Sequence, residues 1–319
     1  PPHGSMLPMS PVRKNILMVA CALGLLIPVV IIFICENMNT RVRGRKDLES
    51  VTVPFIGEIP LFTRKKKGIF RKKPQEVRAI VVKEGSRDII NEAFRVLRTN
   101  LEFMTGKDKA SNVIIMTSFN PGSGKSFLTM NIAVSFAIKG KKVLVIDGDL
   151  RHGSASSYID SPTKGLSDYL GGRIDNLNEI IVTNPKQKYL DILPVGTIPP
   201  NPTELLFDDR LKQVIDTVRE QYEYVLIDCP PIELVADTQI IEKLADRTIF
   251  VVRAGLLELS MLAELEKIYG EKKYKNMSLI LNGTEGSGGR YGYRYGYRYG
   301  YHYGYGSEYH YGSDEKYIE

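Results

Sequence analysis

The chain has 319 residues, a formal net charge of +6 and a charged fraction of 25%. This length is enough for one α/β domain of ordinary size with extensions. The 3 cysteines show neither metal-ligand nor disulfide spacing, which argues against a disulfide-stapled fold. A reducing compartment is therefore expected for the soluble part of the chain.

The first predicted element is an uncharged apolar run over residues 16–35. A helix of this length, at about 1.5 Å per residue, crosses a bilayer core of about 30 Å, and Pro28 is tolerated in it. The run is too long for the core of a signal peptide. The chain does not begin with Met, so residues 1–15 are interpreted as part of a fragment, with Gly4-Ser5-Met6 as a cloning remnant. Basic residues predominate after the run, which predicts that the chain after residue 36 is cytoplasmic.

Residues 36–85 are predicted to be a basic juxtamembrane linker. The basic clusters over residues 64–73 could hold this segment against anionic lipid, at roughly 1 kcal/mol per basic residue. A solvated run of charges is an equal alternative. Nucleic acid is not expected as a partner, because the charge lies beside a membrane span.

A helix is predicted over residues 86–104, where apolar residues recur at helical spacing. Glu92, Arg95 and Arg98 are three residues apart and share one face, which composition alone suggests is solvated. The predicted apolar stripe consists of Ile89, Ile90, Ala93, Val96, Leu97 and Leu101.

The most informative stretch is residues 113–149. The pattern predicts a strand at 113–116, a Gly-rich turn at 120–126, an amphipathic helix at 126–139 and a strand at 143–146. This order is typical of a nucleotide-binding βαβ unit.

The turn contains the residue types that phosphate binding requires. Gly122 and Gly124 allow backbone N–H groups to surround phosphate oxygens at a helix N-terminus. Lys125 can reach the β- and γ-phosphates, and the Ser126 hydroxyl can bind Mg²⁺. Phe119 stands where the full P-loop pattern has Gly. A turn that binds nothing is the alternative, and the flanking strand and helix count against it.

The rest of the domain alternates strands and helices, which predicts a mostly parallel sheet with helices on both faces. Asp228 ends an apolar strand, where it suits Mg²⁺ or its water shell, although it could instead cap the next loop. Strands are expected at 191–196, 224–228, 248–253 and 277–282, and helices after the Pro-rich loop 198–206 and over 211–221.

Residues 284–319 are a low-complexity segment that is predicted to be disordered. The repeat Arg-Tyr-Gly-Tyr begins at Arg290, Arg294 and Arg298. By itself it is compatible with a tyrosine substrate, a sticky or base-stacking tail, or an inert extension. The tyrosines of this cluster are Tyr291, Tyr293, Tyr295, Tyr297, Tyr299, Tyr301, Tyr303, Tyr305, Tyr309, Tyr311 and Tyr317.

Taken together, these motifs resemble the bacterial tyrosine kinases of the polysaccharide co-polymerase type, over most of the chain. The resemblance is carried by the apolar span, Gly57-Glu58-Ile59-Pro60, the Glu92-x-x-Arg95-x-x-Arg98 helix, and the segments 121–126, 145–151, 199–206 and 226–231 with the tyrosine cluster.

The resemblance implies a P-loop kinase domain over residues 86–283 that transfers the γ-phosphoryl group of ATP to tyrosine. Catalysis would depend on Lys125, Asp147, Asp149 and Asp228, and Mg²⁺ would be bound by Ser126 and the three aspartates. A tyrosine hydroxyl has a pKa of about 10, so a carboxylate must accept or orient its proton, and Asp147 and Asp149 are equal candidates. The ATP phosphates would contact Pro121, Gly122, Ser123, Gly124, Lys125, Ser126 and Phe127.

The resemblance also implies a homo-oligomeric ring in which Glu92, Arg95 and Arg98 contact a neighbour and the tail tyrosines are phosphorylated in trans. The implied location is the bacterial inner membrane, with residues 1–15 ending a periplasmic region. The implied partners are a cognate phosphotyrosine phosphatase and the machinery of capsular or exopolysaccharide polymerisation and export.

Two other classes remain open. A ParA/MinD-like ATPase shares this sheet but has an extra Lys early in the loop, where this chain has Asn120. A non-catalytic chain-length regulator is disfavoured because Lys125 and the three aspartates are present.

Overall fold

The computed structural model describes residues 13–37, 40–62, 79–106, 112–232 and 236–285, with only the backbone of residues 13 and 34–37. The tyrosine cluster and the basic clusters over residues 64–73 therefore lie outside the described residues.

An eight-stranded sheet forms the centre of the domain, in the order β1-β8-β7-β2-β6-β3-β5-β4. All neighbouring strands are parallel except β4 and β5, which confirms the mostly parallel sheet. The strands are β1 (Phe55–Pro60), β2 (Val113–Thr117), β3 (Val143–Asp147), β4 (Val182–Thr183), β5 (Leu190–Leu193), β6 (Tyr224–Asp228), β7 (Arg247–Arg253) and β8 (Ser278–Thr284).

Helices cover both faces of the sheet, because each strand sends alternate side chains to opposite sides. Val113 and Ile115 of β2 join one core, whereas Ile114 and Met116 join the other. The helices are α1 (Arg13–Asn37), α2 (Ile89–Thr105), α3 (Lys125–Ala137), α4 (Leu166–Leu170), α5 (Pro202–Leu206), α6 (Asp209–Gln221), α7 (Asp237–Glu242) and α8 (Met261–Gly270).

Helix α1 is the element predicted to cross a membrane. Its stretch Lys14–Phe33 is long and apolar enough to do so by length and composition, and its side chains are exposed. The described residues contain one such helix.

Helix α3 is buried along almost its whole length, so the prediction that it is amphipathic is wrong. The helix lies between the sheet and α2 and contacts both. It therefore lacks the solvent-facing side on which a surface helix carries polar residues. The polar side chains of Asn131 and Ser135 form hydrogen bonds inside the protein.

Helix α2 begins at Ile89 with Asp88 as its N-cap, and its buried face differs from the predicted stripe. Ile89 and Val96 are 58% and 44% exposed, whereas Phe94 is fully buried. The apolar spacing alone does not distinguish these faces, since both carry large apolar side chains.

Part of the segment predicted as a linker belongs to the folded domain. Strand β1 pairs with β8 at the edge of the sheet, and Ile56 and Ile59 are buried there. Asn131 of α3 accepts from the N–H groups of Val81 and Val82 at 2.7 and 3.2 Å. The pairing of β1 with β8 joins residues more than 200 positions apart, so local sequence patterns cannot reveal it.

Candidate active site

The carboxyl ends of the parallel strands bring the predicted acidic residues and the Gly-rich turn to one edge of the sheet. Asp147 of β3 and Asp228 of β6 are partners in the strand register, and Asp228 is also opposite Met116 of β2. The turn at 120–126 leaves β2 and leads directly into α3. Ligands of open parallel sheets bind at such an edge.

The backbone of the turn requires glycine at two positions. Gly122 and Gly124 have φ angles of +74° and +87°. A Cβ on Gly124 would also lie 2.2 Å from Nδ2 of Asn282, which donates to the carbonyl of Ser123 at 2.8 Å. Asn282, near the end of β8, therefore stabilises the turn through this hydrogen bond.

The Lys125 side chain is folded into the turn. Its Nζ donates to Oγ of Ser118 at 3.2 Å, and the hydroxyls of Ser118 and Ser123 each donate to the carbonyl of Asn120 at 2.8 Å. These bonds hold the turn at the N-terminus of α3, where N–H groups attract anions. The geometry is that of a nucleotide-phosphate site.

Phe119, which departs from the full P-loop pattern, is part of the core. Its ring packs edge to face on Phe250 of β7, with 4.8 Å between the ring centroids, and it is 2% exposed. Phe119 therefore has a packing role, and the glycines of the turn keep the positive φ angles that the turn requires.

Asp147 and Asp228 form a buried acidic pair that is short of donors. Oδ2 of Asp147 accepts from the N–H and the hydroxyl of Ser156, at 2.6 and 2.7 Å. Among the described residues, no donor has full hydrogen-bond geometry to Oδ1 of Asp147 or to either carboxylate oxygen of Asp228, although the Ser126 hydroxyl interacts with Asp228.

The electrostatics of this pair favour a bound cation. Burial raises the pKa of Asp147, and the charge of Asp228 raises it further. Burial also raises the pKa of Asp228, against the lowering effects of Ser126 and Lys125. Buried carboxylates without donors are costly unless they bind a proton or a metal ion.

The donor set fits Mg²⁺ together with a nucleotide rather than an all-protein metal site. The described residues contain no group of three or more acidic, His or Cys side chains arranged to hold a metal ion. Mg²⁺ is typically bound by one or two carboxylates together with substrate phosphates and water. Asp147 and Asp228 provide carboxylates of this kind, and the hydroxyl of Ser126 provides a further oxygen.

Asp149 differs from Asp147 in its surroundings. Its Oδ1 accepts from the backbone N–H groups of Arg151 and His152, both at 3.2 Å. Nδ1 of His152 lies 3.3 Å from both carboxylate oxygens, and the His152 side chain is 70% exposed. Asp149 itself is 7% exposed and lies beside this exposed imidazole, whereas Asp147 is fully buried.

Three side chains at this edge were not predicted as site residues. Asn282 had a detectable signal, because it is a polar residue at the end of an apolar strand, as Asp228 is. Ser156 and Asp237 had none, since each begins a short helix, one 3₁₀ and one α, whose position relative to the strands no local pattern specifies. Asp237 is fully buried and accepts from Nε of Arg151 at 3.2 Å and from the Thr203 hydroxyl at 2.6 Å.

The three residues predicted for the oligomer interface occupy two environments. Glu92 and Arg95 form an ion pair with both side chains more than a third exposed. Arg98 is 7% exposed, and its Nη1 donates to the carbonyl and hydroxyl of Ser135 in α3 at 2.9 and 3.1 Å. Burial lowers the pKa of the Arg98 guanidinium. Arg98 therefore ties α2 to α3 within one subunit.

Comparison with known proteins agrees with this geometry. Residues 111–279 match the family model of an AAA domain. The kinase domain of the Escherichia coli tyrosine kinase ETK superposes with a TM-score of 0.67 at 29% identity, covering 83% of this chain and 100% of that domain.

Two relatives differ in how much of their length this chain covers. EpsB of Ralstonia nicotianae is 32% identical over 301 residues, which are 90% of this chain but only 38% of EpsB. The tyrosine-protein kinase YwqD of Bacillus subtilis is 35% identical over 209 residues, which are 65% of this chain and 87% of YwqD. The chain belongs to the family of bacterial tyrosine-protein kinases.

Proposed function

We propose that this chain is the membrane-anchored kinase part of a protein-tyrosine autokinase. It transfers the γ-phosphoryl group of ATP to tyrosines of the C-terminal cluster in a neighbouring copy. The observation that carries the proposal is the buried pair Asp147 and Asp228, whose carboxylates interact with Ser126 and Lys125 of the P-loop but have three oxygens without a donor in full hydrogen-bond geometry among the described residues. The names of YwqD and ETK support tyrosine as the acceptor.

In the proposed reaction the tyrosine oxygen attacks the γ-phosphorus, the bond to the bridging oxygen of ADP breaks, and the phenol proton passes to a carboxylate. Asp149 suits this last role better than Asp147, because it keeps 7% exposure beside the exposed His152, whereas Asp147 is fully buried. Lys125 and the N–H groups at the start of α3 bind the negatively charged phosphates of ATP. Mg²⁺ bound by Asp147, Asp228 and Ser126 would neutralise charge on the transferring group.

The proposal includes the setting of the kinase. Helix α1 suits an anchor in the bacterial inner membrane, and the exposed Glu92–Arg95 face of α2 suits contact with a neighbouring subunit. The proposal extends to regulation of capsular or exopolysaccharide chain length, with a cognate phosphatase and the export machinery as partners, as the resemblance to kinases of the polysaccharide co-polymerase type implies.

The test is to incubate the full chain, purified in detergent, with Mg²⁺ and ATP and to map phosphate by mass spectrometry. We expect phosphotyrosine within residues 291–317 of the wild type and none in Lys125→Met. ATP hydrolysis with an unmodified tail would instead support the ParA/MinD-like ATPase. The absence of both activities would support a non-catalytic regulator.

A further inference from the structure

Ser156 makes the closest polar contacts to the enclosed acid Asp147. Its backbone N–H and its hydroxyl both donate to Oδ2 of Asp147, at 2.6 and 2.7 Å. Both side chains are buried, at 3% and 0% exposure, so water does not compete for these bonds. The contact joins the end of β3 to the short 3₁₀ helix Ser156–Ile159.

The Ser156 hydroxyl is itself fixed from the other side. It accepts a hydrogen bond from the backbone N–H of Val195, just after β5, at 2.9 Å. A hydroxyl has one hydrogen, and this one is committed to Asp147. The relay from Val195 through Ser156 therefore holds Oδ2 in one place.

This arrangement makes the two oxygens of Asp147 unequal. Oδ2 has two donors, whereas Oδ1 has no partner among the described residues and belongs to the same acidic pair as Asp228. A carboxylate held in this way has one oxygen available for a cation. Groups that orient metal ligands in this manner typically affect metal affinity by about 10- to 100-fold.

We infer that Ser156 is a positioning residue that turns Oδ1 of Asp147 toward the Mg²⁺–nucleotide and thereby sets the Mg²⁺ affinity of the site. The inference rests on the proposed function only in that it assumes a nucleotide bound with Mg²⁺. In this inference Ser156 acts through Asp147 and not through contact with the nucleotide or the tyrosine.

The test measures binding and does not require kinase activity. The full chain is titrated with a fluorescent ADP analogue, first in EDTA and then over a range of Mg²⁺ concentrations. The variants are Ser156→Ala, Ser156→Thr, which keeps the hydroxyl, and Ser157→Ala as matched control. The Ser157 hydroxyl donates to the carbonyl of Ser154 at 2.7 Å, within the same loop.

We expect Ser156→Ala to need roughly 10-fold more Mg²⁺ for half-maximal tight binding, with unchanged affinity in EDTA. Ser156→Thr and Ser157→Ala should behave as the wild type. An unchanged Mg²⁺ requirement in Ser156→Ala would overturn the inference. Equal loss of metal-free binding in the Ala and Thr variants would also overturn it, because the role of Ser156 would then be packing. If the wild type binds nucleotide with Mg²⁺ but forms no phosphotyrosine, the proposed kinase function fails while this result still stands.

Discussion

Asp147 and Asp228 are direct partners on adjacent parallel strands, and both carboxylates are buried. In a protein without metal or nucleotide, this pair opposes folding, because two neighbouring charges are removed from water. The site is thus favourable for a cation at a cost to the stability of the unliganded domain.

This relationship predicts that Asp228→Asn stabilises the unliganded protein while it abolishes phosphotransfer. A carboxyl whose pKa is raised on folding binds more protons in the folded state, so stability falls as pH rises from about 4 toward the raised folded pKa. Removing the charge should increase Tm at pH 8 in EDTA, at roughly 2–4 °C per kcal/mol, and flatten the pH dependence of Tm. Thermal unfolding at pH 5 and pH 8 measures both effects. The exposed acid Glu220 provides the control Glu220→Gln, and an equal or lower Tm of Asp228→Asn at pH 8 would contradict the prediction.

Gly124→Ala should abolish nucleotide binding. The added Cβ meets Nδ2 of Asn282 at 2.2 Å, in a backbone conformation with φ of +87° that favours glycine. Gly140→Ala is the matched control, since Gly140 has φ of +77° but no atom within 4 Å of the added Cβ. Both variants bear the backbone strain, of about 1 kcal/mol, and only Gly124→Ala displaces the support of the phosphate loop. Nucleotide titration of the two folded variants distinguishes the effects, and equal loss would show that backbone strain alone is responsible.

Arg98→Ala should lower the free energy of unfolding by about 2–3 kcal/mol, because it removes buried hydrogen bonds from a charged donor to Ser135. Arg95→Ala should change it by less than about 1 kcal/mol, since the Arg95–Glu92 pair is exposed. If the exposed pair contacts a neighbour, Arg95→Ala will instead reduce self-association. Urea unfolding and sedimentation measure the two quantities separately. A stable Arg98→Ala variant that fails to self-associate would contradict the prediction and would support a contact of Arg98 with the neighbouring subunit.

Asp237→Asn should reduce phosphotyrosine formation by about 10-fold while nucleotide affinity is unchanged. Asp237 holds the Arg151 side chain, and the backbone N–H of Arg151 donates to Oδ1 of Asp149. Loosening Arg151 therefore disturbs the carboxylate that we assign to the tyrosine, without touching the phosphate loop. Asp175→Asn is the control, because Asp175 is 82% exposed and pairs with Arg210. A parallel loss of nucleotide binding would show that Asp237 supports the whole site instead.

Local sequence patterns are sufficient to predict the βαβ unit, the mostly parallel sheet and the phosphate loop, because these depend on the spacing of glycines, apolar runs and strand-end acids. The glycine-rich turn also indicated Lys125, and the position after an apolar strand indicated Asp228, whereas the roles of Asp147 and Asp149 were predicted from the family resemblance. Other features depend on contacts between distant parts of the chain. These are the addition of β1 to the sheet, the complete burial of α3, the inward position of Arg98 and the different surroundings of Asp147 and Asp149. Each depends on which residue from another part of the chain packs or donates there, and no local pattern specifies that choice.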